Sequence, residues 1–192
     1  MAVDPVGGIM RVITGTARGR RLITVEGTDL VRPTTDRVKE AIFSAIQFEI
    51  EGRTVLDLFA GSGQLGIEAL SRGASECWFA DSAAQSINVV KKNVEHTGFT
   101  ERSHIVNMPF SAFLKSARTS FDIALLDPPY ERKLIQKALP LLIEKMNDGG
   151  VIVCEHEKDC VLPHNESGWE LVKLLRHGST SVSVYRKPTP EE

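Results

Sequence analysis

The segment Thr54-Val-Leu-Asp-Leu-Phe-Ala-Gly-Ser-Gly-Gln-Leu-Gly66 constrains the fold more than any other stretch of the chain. An apolar run of strand length breaks into glycines and resumes as a helix, the pattern of a buried strand turning sharply into a helix N-terminus. Gly61, Gly63 and Gly66 meet the G-x-G-x-x-G spacing. Without Cβ atoms the backbone can approach a ligand closely, and the helix start offers amide donors. Asp81 closes the next strand twenty residues after Gly61, where a carboxylate can accept from two ribose hydroxyls. NAD and S-adenosylmethionine both fit this skeleton, and a tight turn that binds nothing would carry the same residues. Asp57, just before the glycines, favours a cationic ligand over a pyrophosphate, which it would repel. The sulfonium and α-ammonium groups of S-adenosylmethionine supply that positive charge.

The rest of the chain extends the pattern. Strands are expected at Thr54–Phe59, Cys77–Ala80, Ile105–Met108, Phe121–Leu126 and Val151–Cys154. Helices are expected at Leu65–Arg72, Ala83–Thr97, Ser111–Ala117 and Arg132–Met146, the last kinked or broken by Pro140. Trp169–Arg176 and Thr180–Arg186, joined by His177-Gly178-Ser179, read as an antiparallel hairpin. The expected class is therefore α/β, with a mostly parallel sheet covered on both faces and a C-terminal antiparallel hairpin. Upstream, Met10–Thr24 reads as strand, turn, strand around Thr16-Ala-Arg-Gly-Arg-Arg21. A helix follows Pro33, with caps among Thr34, Thr35 and Asp36, with Val38, Ile42, Ala45 and Ile46 on one face, and with Gly52 closing it. This divides the chain into a loose tail at 1–9, a hairpin-and-helix appendage at 10–52, a catalytic domain at 53–187 and a tail at 188–192.

A chain of 192 residues can bury a core without disulfides or metals. Its three cysteines, Cys77, Cys154 and Cys160, are widely spaced and form no C-x-x-C pair, so reduced thiols are expected and no metal site. No apolar run approaches the ~18 residues of a membrane span and no signal-peptide pattern opens the chain, which points to the cytoplasm. The net charge of −2 hides an asymmetry: residues 11–39 hold seven basic groups against three acids, so the remainder carries −6. A basic end on an acidic body is where a phosphate backbone could dock, although basic runs are often only solvated faces.

Asp127-Pro-Pro-Tyr130 follows the apolar strand ending at Leu126, so it lies at the carboxyl edge of the sheet, where ligands of open α/β sheets bind. Two prolines fix the backbone and offer carbonyls without amides. A carboxylate, a rigid row of acceptors and an aromatic ring suit a planar group bearing an NH2. The amine would donate to Asp127 and the Pro128 carbonyl, with Pro129 stiffening the turn and Tyr130 stacking on the ring.

The glycine loop and Asp127-Pro-Pro-Tyr130 together resemble the Rossmann-like class I S-adenosylmethionine-dependent methyltransferases that modify exocyclic or amide nitrogens. More specifically, Met10-Arg-Val-Ile-Thr-Gly-Thr-Ala-Arg-Gly-Arg-Arg-Leu22, Arg32-Pro-Thr-Thr-Asp-Arg-Val-Lys-Glu40 and Leu70-Ser-Arg-Gly-Ala74 are similar to the RsmD family of bacterial small-subunit (16S) ribosomal RNA guanine-N2 methyltransferases. The resemblance spans about residues 10–187. It implies that Asp57, Phe59, Gly61 and Gly63 meet the methionine end of the cofactor, with Thr34 and Arg37 lying over it. It implies ribose binding at Asp81 and packing of the adenine at Met108; Pro109 stands where the family has Asp or Asn. Arg11, Arg18, Arg20 and Arg21 would touch RNA phosphates, and 16S ribosomal RNA or the assembling small subunit would be the partner. Neither a membrane nor DNA is implied, and a monomer is expected. Rival readings are an adenine-N6 DNA or RNA methyltransferase, a protein-glutamine methyltransferase, a nucleotide-binding dehydrogenase, and a non-catalytic RNA-binding module.

Overall fold

The computed structural model describes residues 10–25, 35–130 and 133–188. Its strands are β1 (Thr54–Leu58), β2 (Glu76–Asp81), β3 (Ser103–Asn107), β4 (Phe121–Leu126), β5 (Met146–Glu157), β6 (Asn165–Glu166), β7 (Trp169–His177) and β8 (Thr180–Arg186). Its helices are α1 (Asp36–Ala45), α2 (Gln64–Ser71), α3 (Ala84–Thr97), α4 (Phe110–Ser116) and α5 (Leu134–Ile143), with a 3-10 turn at Thr100–Arg102. The strands form one sheet in the order β3-β2-β1-β4-β5-β8-β7-β6. β1 to β5 are parallel, and β8 enters antiparallel between β5 and β7. The expected α/β class with its antiparallel C-terminal hairpin is the fold observed.

Successive side chains of a strand point to opposite faces, so the apolar runs of the central strands feed two cores at once. Val55, Ile123, Leu125, Val151 and Val153 pack on one face with residues of α1, α2 and α3. Leu56, Leu58, Ala124, Leu126 and Ile152 pack on the other with residues of α4 and α5. Because β1 lies between β2 and β4, the chain winds one way after β1 and returns to its other side after β3. That reversal opens a crevice beyond the carboxyl ends of β1 and β4.

Several boundaries differ from the sequence reading. α1 is capped by Thr35, whose Oγ1 accepts from Val38 N at 3.4 Å, and it ends at Ala45. Residues 46–52 form turns instead of helix, and Gly52, at φ 72°, leads into β1. α5 runs through Pro140 to Ile143 without breaking. Pro140 sits on the exposed side near the helix end, where a missing N–H perturbs little packing. β5 begins five residues before the expected Val151, at Met146, across an irregularity in its pairing with β4 where Gly149 takes φ 74°. β6, two residues long, is a strand that periodicity could not register.

The N-terminal hairpin is reduced to one antiparallel bridge, Arg11 with Arg21, supported by Val12 N to Arg20 O at 2.9 Å and Leu22 N to Met10 O at 2.9 Å. Val12, Ala17 and Leu22 are buried in the same core as α1 and α2. The docking is polar as well. Glu68, fully buried on α2, accepts from Ile13 N (2.8 Å), Thr14 N (3.0 Å) and Arg72 Nε (2.9 Å), and its Oε2 lies 3.8 Å from Lys39 Nζ. Burial pushes the Lys39 ammonium down from its ordinary pKa, and Glu68 pulls it back up. Ser71 closes the joint: its carbonyl accepts from Thr16 N and its hydroxyl from Ala17 N, both at 2.9 Å.

Candidate active site

The crevice predicted by the strand order is a cleft of about 530 Å3. Its walls come from the loop between β1 and α2, the ends of β2 and β3, the Asp127–Pro129 turn after β4, and the stems of the N-terminal hairpin. Among the described residues lining it, Asp57, Asp81 and Asp127 are acidic and none is Lys, Arg or His. Such a wall attracts positive charge and repels phosphate.

Asp57 is 1% exposed on β1, and its Oδ2 accepts from Gly66 N at 2.9 Å. Burial raises its pKa to about 8; the Gly66 amide opposes the shift, and the charges of Asp127 and Asp81 add to it. The carboxyl therefore caps the glycine loop and also faces the cleft.

Asp81 ties two loops together. Its Oδ2 accepts from Gly61 N at 2.9 Å and its Oδ1 from Ala83 N at 2.8 Å. Each oxygen retains a lone pair for a further donor. Phe59 leaves β1 at φ 72°, a left-handed backbone that a bulky residue adopts only under constraint from its surroundings. Phe59 N and Ala60 N both donate to Ala80 O, at 3.0 and 3.1 Å, which holds the bend. The Phe59 ring lies 5.3 Å from that of Phe110.

The glycines divide their work. Gly61, at φ 54°, lines the cleft, and a Cβ built there would meet little. Gly63, at φ 77°, caps α2 but does not line the cleft: a Cβ there would press on Phe79 and Val90 at 3.3 Å. Gly66 allows α2 to lie against β2, since its Cβ would meet the Phe79 ring at 2.3 Å. One glycine opens toward ligand space and two toward packing.

Met108 lines the cleft beside Pro109 and Phe110, with Met108 N donating to Asp81 O at 3.0 Å. Asp127 and Pro129 line it from β4. Tyr130 and Pro128 lie instead on an adjoining recess of about 30 Å3, shared with Glu155, His156 and Lys133. Tyr130 is half-buried, its hydroxyl 3.2 Å from Thr180 Oγ1. Burial raises its pKa, as do Glu155, Asp127 and Glu157, while the Thr180 contact lowers it, so the hydroxyl stays protonated at neutral pH. Arg37 is exposed on α1 and does not line the cleft, and Thr34 lies outside the described residues. Arg11, Arg18, Arg20 and Arg21 are all exposed on the hairpin, with Arg11 Nη2 3.3 Å from Asp36 and Arg20 donating to the His96 carbonyl.

Sequence reasoning missed Met10, Thr24 and Val25, which reach the cleft through the folded hairpin, and Ser82, Ala83 and Ser86 at the start of α3. Only the rule that ligands lie beyond carboxyl strand ends could have found the second group. It also missed Gln64, which is 7% exposed on the cleft wall, its Oε1 buried without a hydrogen-bond partner among the described residues.

Comparison with known proteins agrees with this geometry. The family described as Conserved hypothetical protein 95 matches residues 10–186. Ribosomal RNA small subunit methyltransferase D of Haemophilus influenzae is 37% identical over 186 residues, covering 93% of this chain and 94% of that protein. Its Escherichia coli counterpart is 33% identical over 187 residues, covering 96% and 93%. The solved structure of the Escherichia coli methyltransferase yhhF superposes with a TM-score of 0.83 at 33% identity, covering 94% of this chain and 98% of that one. Since the match runs through the hairpin, the glycine loop and the sheet alike, the chain belongs to the ribosomal RNA small subunit methyltransferase D family.

Proposed function

We propose that the protein transfers a methyl group from S-adenosylmethionine to the exocyclic N2 of a guanine in small-subunit ribosomal RNA. The observation that carries the cofactor reading is the acidity of the cleft wall: three acidic side chains, of which Asp57 has its pKa raised to about 8, and no Lys, Arg or His among the described residues that line it. A sulfonium and an α-ammonium suit that wall; the pyrophosphate of a dinucleotide does not. A left-handed glycine turn at Gly61, the Asp81 lone pairs and the orphan Gln64 acceptor fit the remaining polar groups of such a ligand. The RNA reading rests on the relatives, which are named for methylation of small-subunit ribosomal RNA, and on the exposed arginines of the hairpin whose stems line the cleft.

When bound, S-adenosylmethionine supplies an electrophilic methyl group whose departure leaves a neutral thioether. The chain's own residues act on the other reactant. A guanine N2 lone pair is delocalised into the ring and is a poor nucleophile. Asp127 and the Pro128 carbonyl, accepting from the amine, would turn its lone pair toward the methyl, and positioning of this kind supplies much of the acceleration. Tyr130 would hold the ring by stacking once the base has left its helix. The cytoplasm is where such an enzyme would meet nascent ribosomal RNA.

Calorimetry with S-adenosylmethionine, S-adenosylhomocysteine and NAD tests the cofactor half. Saturable binding of the first two and none of NAD is expected; NAD binding without S-adenosylmethionine binding would overturn it.

A further inference from the structure

We infer that Glu155 makes this site selective for guanine, by accepting the ring N1–H of the target base beside the amine held at Asp127. The inference rests on the guanine-N2 reading above and names the residue that would enforce it. β4 and β5 run parallel with Leu126 opposite Cys154. The next residues are Asp127, which follows the end of β4, and Glu155, which is still within β5 opposite Val182, so the two lie side by side along the sheet. Glu155 is only 3% exposed, and it lines the recess formed by Pro128, Pro129 and Tyr130. Pro129 and Leu134 line both recess and cleft, so the recess opens off the wall where Asp127 stands. At about 30 Å3 it is far too small for a whole base.

The chemistry of the two purines decides what such a pair of carboxylates can read. Guanine presents two neighbouring donors, N1–H and the N2 amine, which match two neighbouring acceptors. Adenine presents its amine next to a bare N1 lone pair. A carboxylate facing that lone pair sets acceptor against acceptor, and a buried acceptor left without a donor is penalised. A site built around hydrogen bonds to its substrate rejects the analogue that lacks them more strongly than a merely apolar pocket can. Asp127 alone would accept an amine from either base. The second carboxylate separates them.

2-Aminopurine isolates the contact, because it keeps the amine at C2 and has a bare N1. Single-turnover methylation of small-subunit RNA carrying guanine or 2-aminopurine at the methylated position should favour guanine by about tenfold or more in the wild type. In Glu155→Gln the amide can donate to the bare N1, so that ratio should shrink severalfold while S-adenosylmethionine affinity is unchanged. The missing O6 of 2-aminopurine affects both proteins alike and cancels in the comparison. An unchanged ratio in Glu155→Gln would overturn the inference. So would equal use of both bases by the wild type, a measurement that needs no variant to fold. Failure of the wild type to methylate guanine at all would instead remove the reading on which the inference stands.

Discussion

Asp57 caps the glycine loop from a buried position on the cleft wall, at an energetic cost that depends on pH. Its carboxyl has an ordinary pKa of 3.8 and a folded value of about 8. The folded protein thus holds this proton more tightly than the unfolded chain, so stability from the protonated form is present at low pH and is lost as pH rises from about 4 through about 8. Asp57→Asn should unfold at the same temperature as wild type near pH 4 and at a higher one near pH 8, with both proteins ligand-free. A cation in the cleft should reverse the preference: wild-type protein should release a proton on binding S-adenosylmethionine at pH 7, seen by calorimetry in buffers of different ionisation enthalpy, and Asp57→Asn should not. Identical proton release by the two proteins would separate Asp57 from the ligand. In the adjoining recess, Tyr130→Phe should retain most methyl-transfer activity, whereas Tyr130→Ala should lose ~1–3 kcal/mol of transition-state binding. Asp127→Ala should lose more while still binding S-adenosylmethionine. If Phe proves as damaging as Ala, the hydroxyl and its Thr180 contact matter more than the ring. The sequence made these residues legible because their chemistry is local, a carboxylate before glycines and another before prolines. It could not distinguish the work of Gly61 from that of Gly63, because direction toward cleft or core depends on how α2 settles against β2 and α3.

The joint between hairpin and α2 has the same double character. α2 begins at the glycine loop and ends at Ser71, where the hairpin docks, so one short helix connects the cleft to the basic turn. A Cβ at Gly15 would lie 1.8 Å from the Ser71 carbonyl oxygen, and φ there is 86°, so Gly15→Ala should unseat the turn. The expected result is weakened RNA binding with the sheet still folded, measured by RNA titration alongside far-ultraviolet circular dichroism. Glu68→Ala should be harsher: it removes the carboxylate beside the buried Lys39 ammonium, leaving it the Arg11 carbonyl, and unpairs the Ile13 and Thr14 amides, at a cost of about 3–5 kcal/mol by analogy with other broken buried ion pairs. Urea unfolding would detect it. None of this joint could be read beforehand, because Glu68 occupies a helix position that a solvated acid would fill equally well. The parallel strands were legible for the converse reason: burial on both faces writes itself into an uninterrupted apolar run. Pro140 does not break α5, and the sequence alone does not say which side of that helix faces water.

Over the molecule as a whole, the charge is sorted: an acidic cleft is flanked by a basic hairpin, on a chain of net charge −2. Under the proposed function, cation and polyanion would meet different surfaces of one enzyme. Replacing Arg18, Arg20 and Arg21 together with Ala should leave S-adenosylmethionine affinity unchanged and flatten the salt dependence of RNA binding by up to about 2 to 3 units of slope. An unchanged slope would make the three arginines a solvated turn. No helix among the described residues is long and apolar enough to cross a membrane. Small-subunit ribosomal RNA from cells lacking this enzyme, incubated with the protein and isotopically labelled S-adenosylmethionine, digested to nucleosides and resolved by mass spectrometry, should yield labelled N2-methylguanosine at a single position; label in N6-methyladenosine, or none in the RNA, would contradict the proposed function.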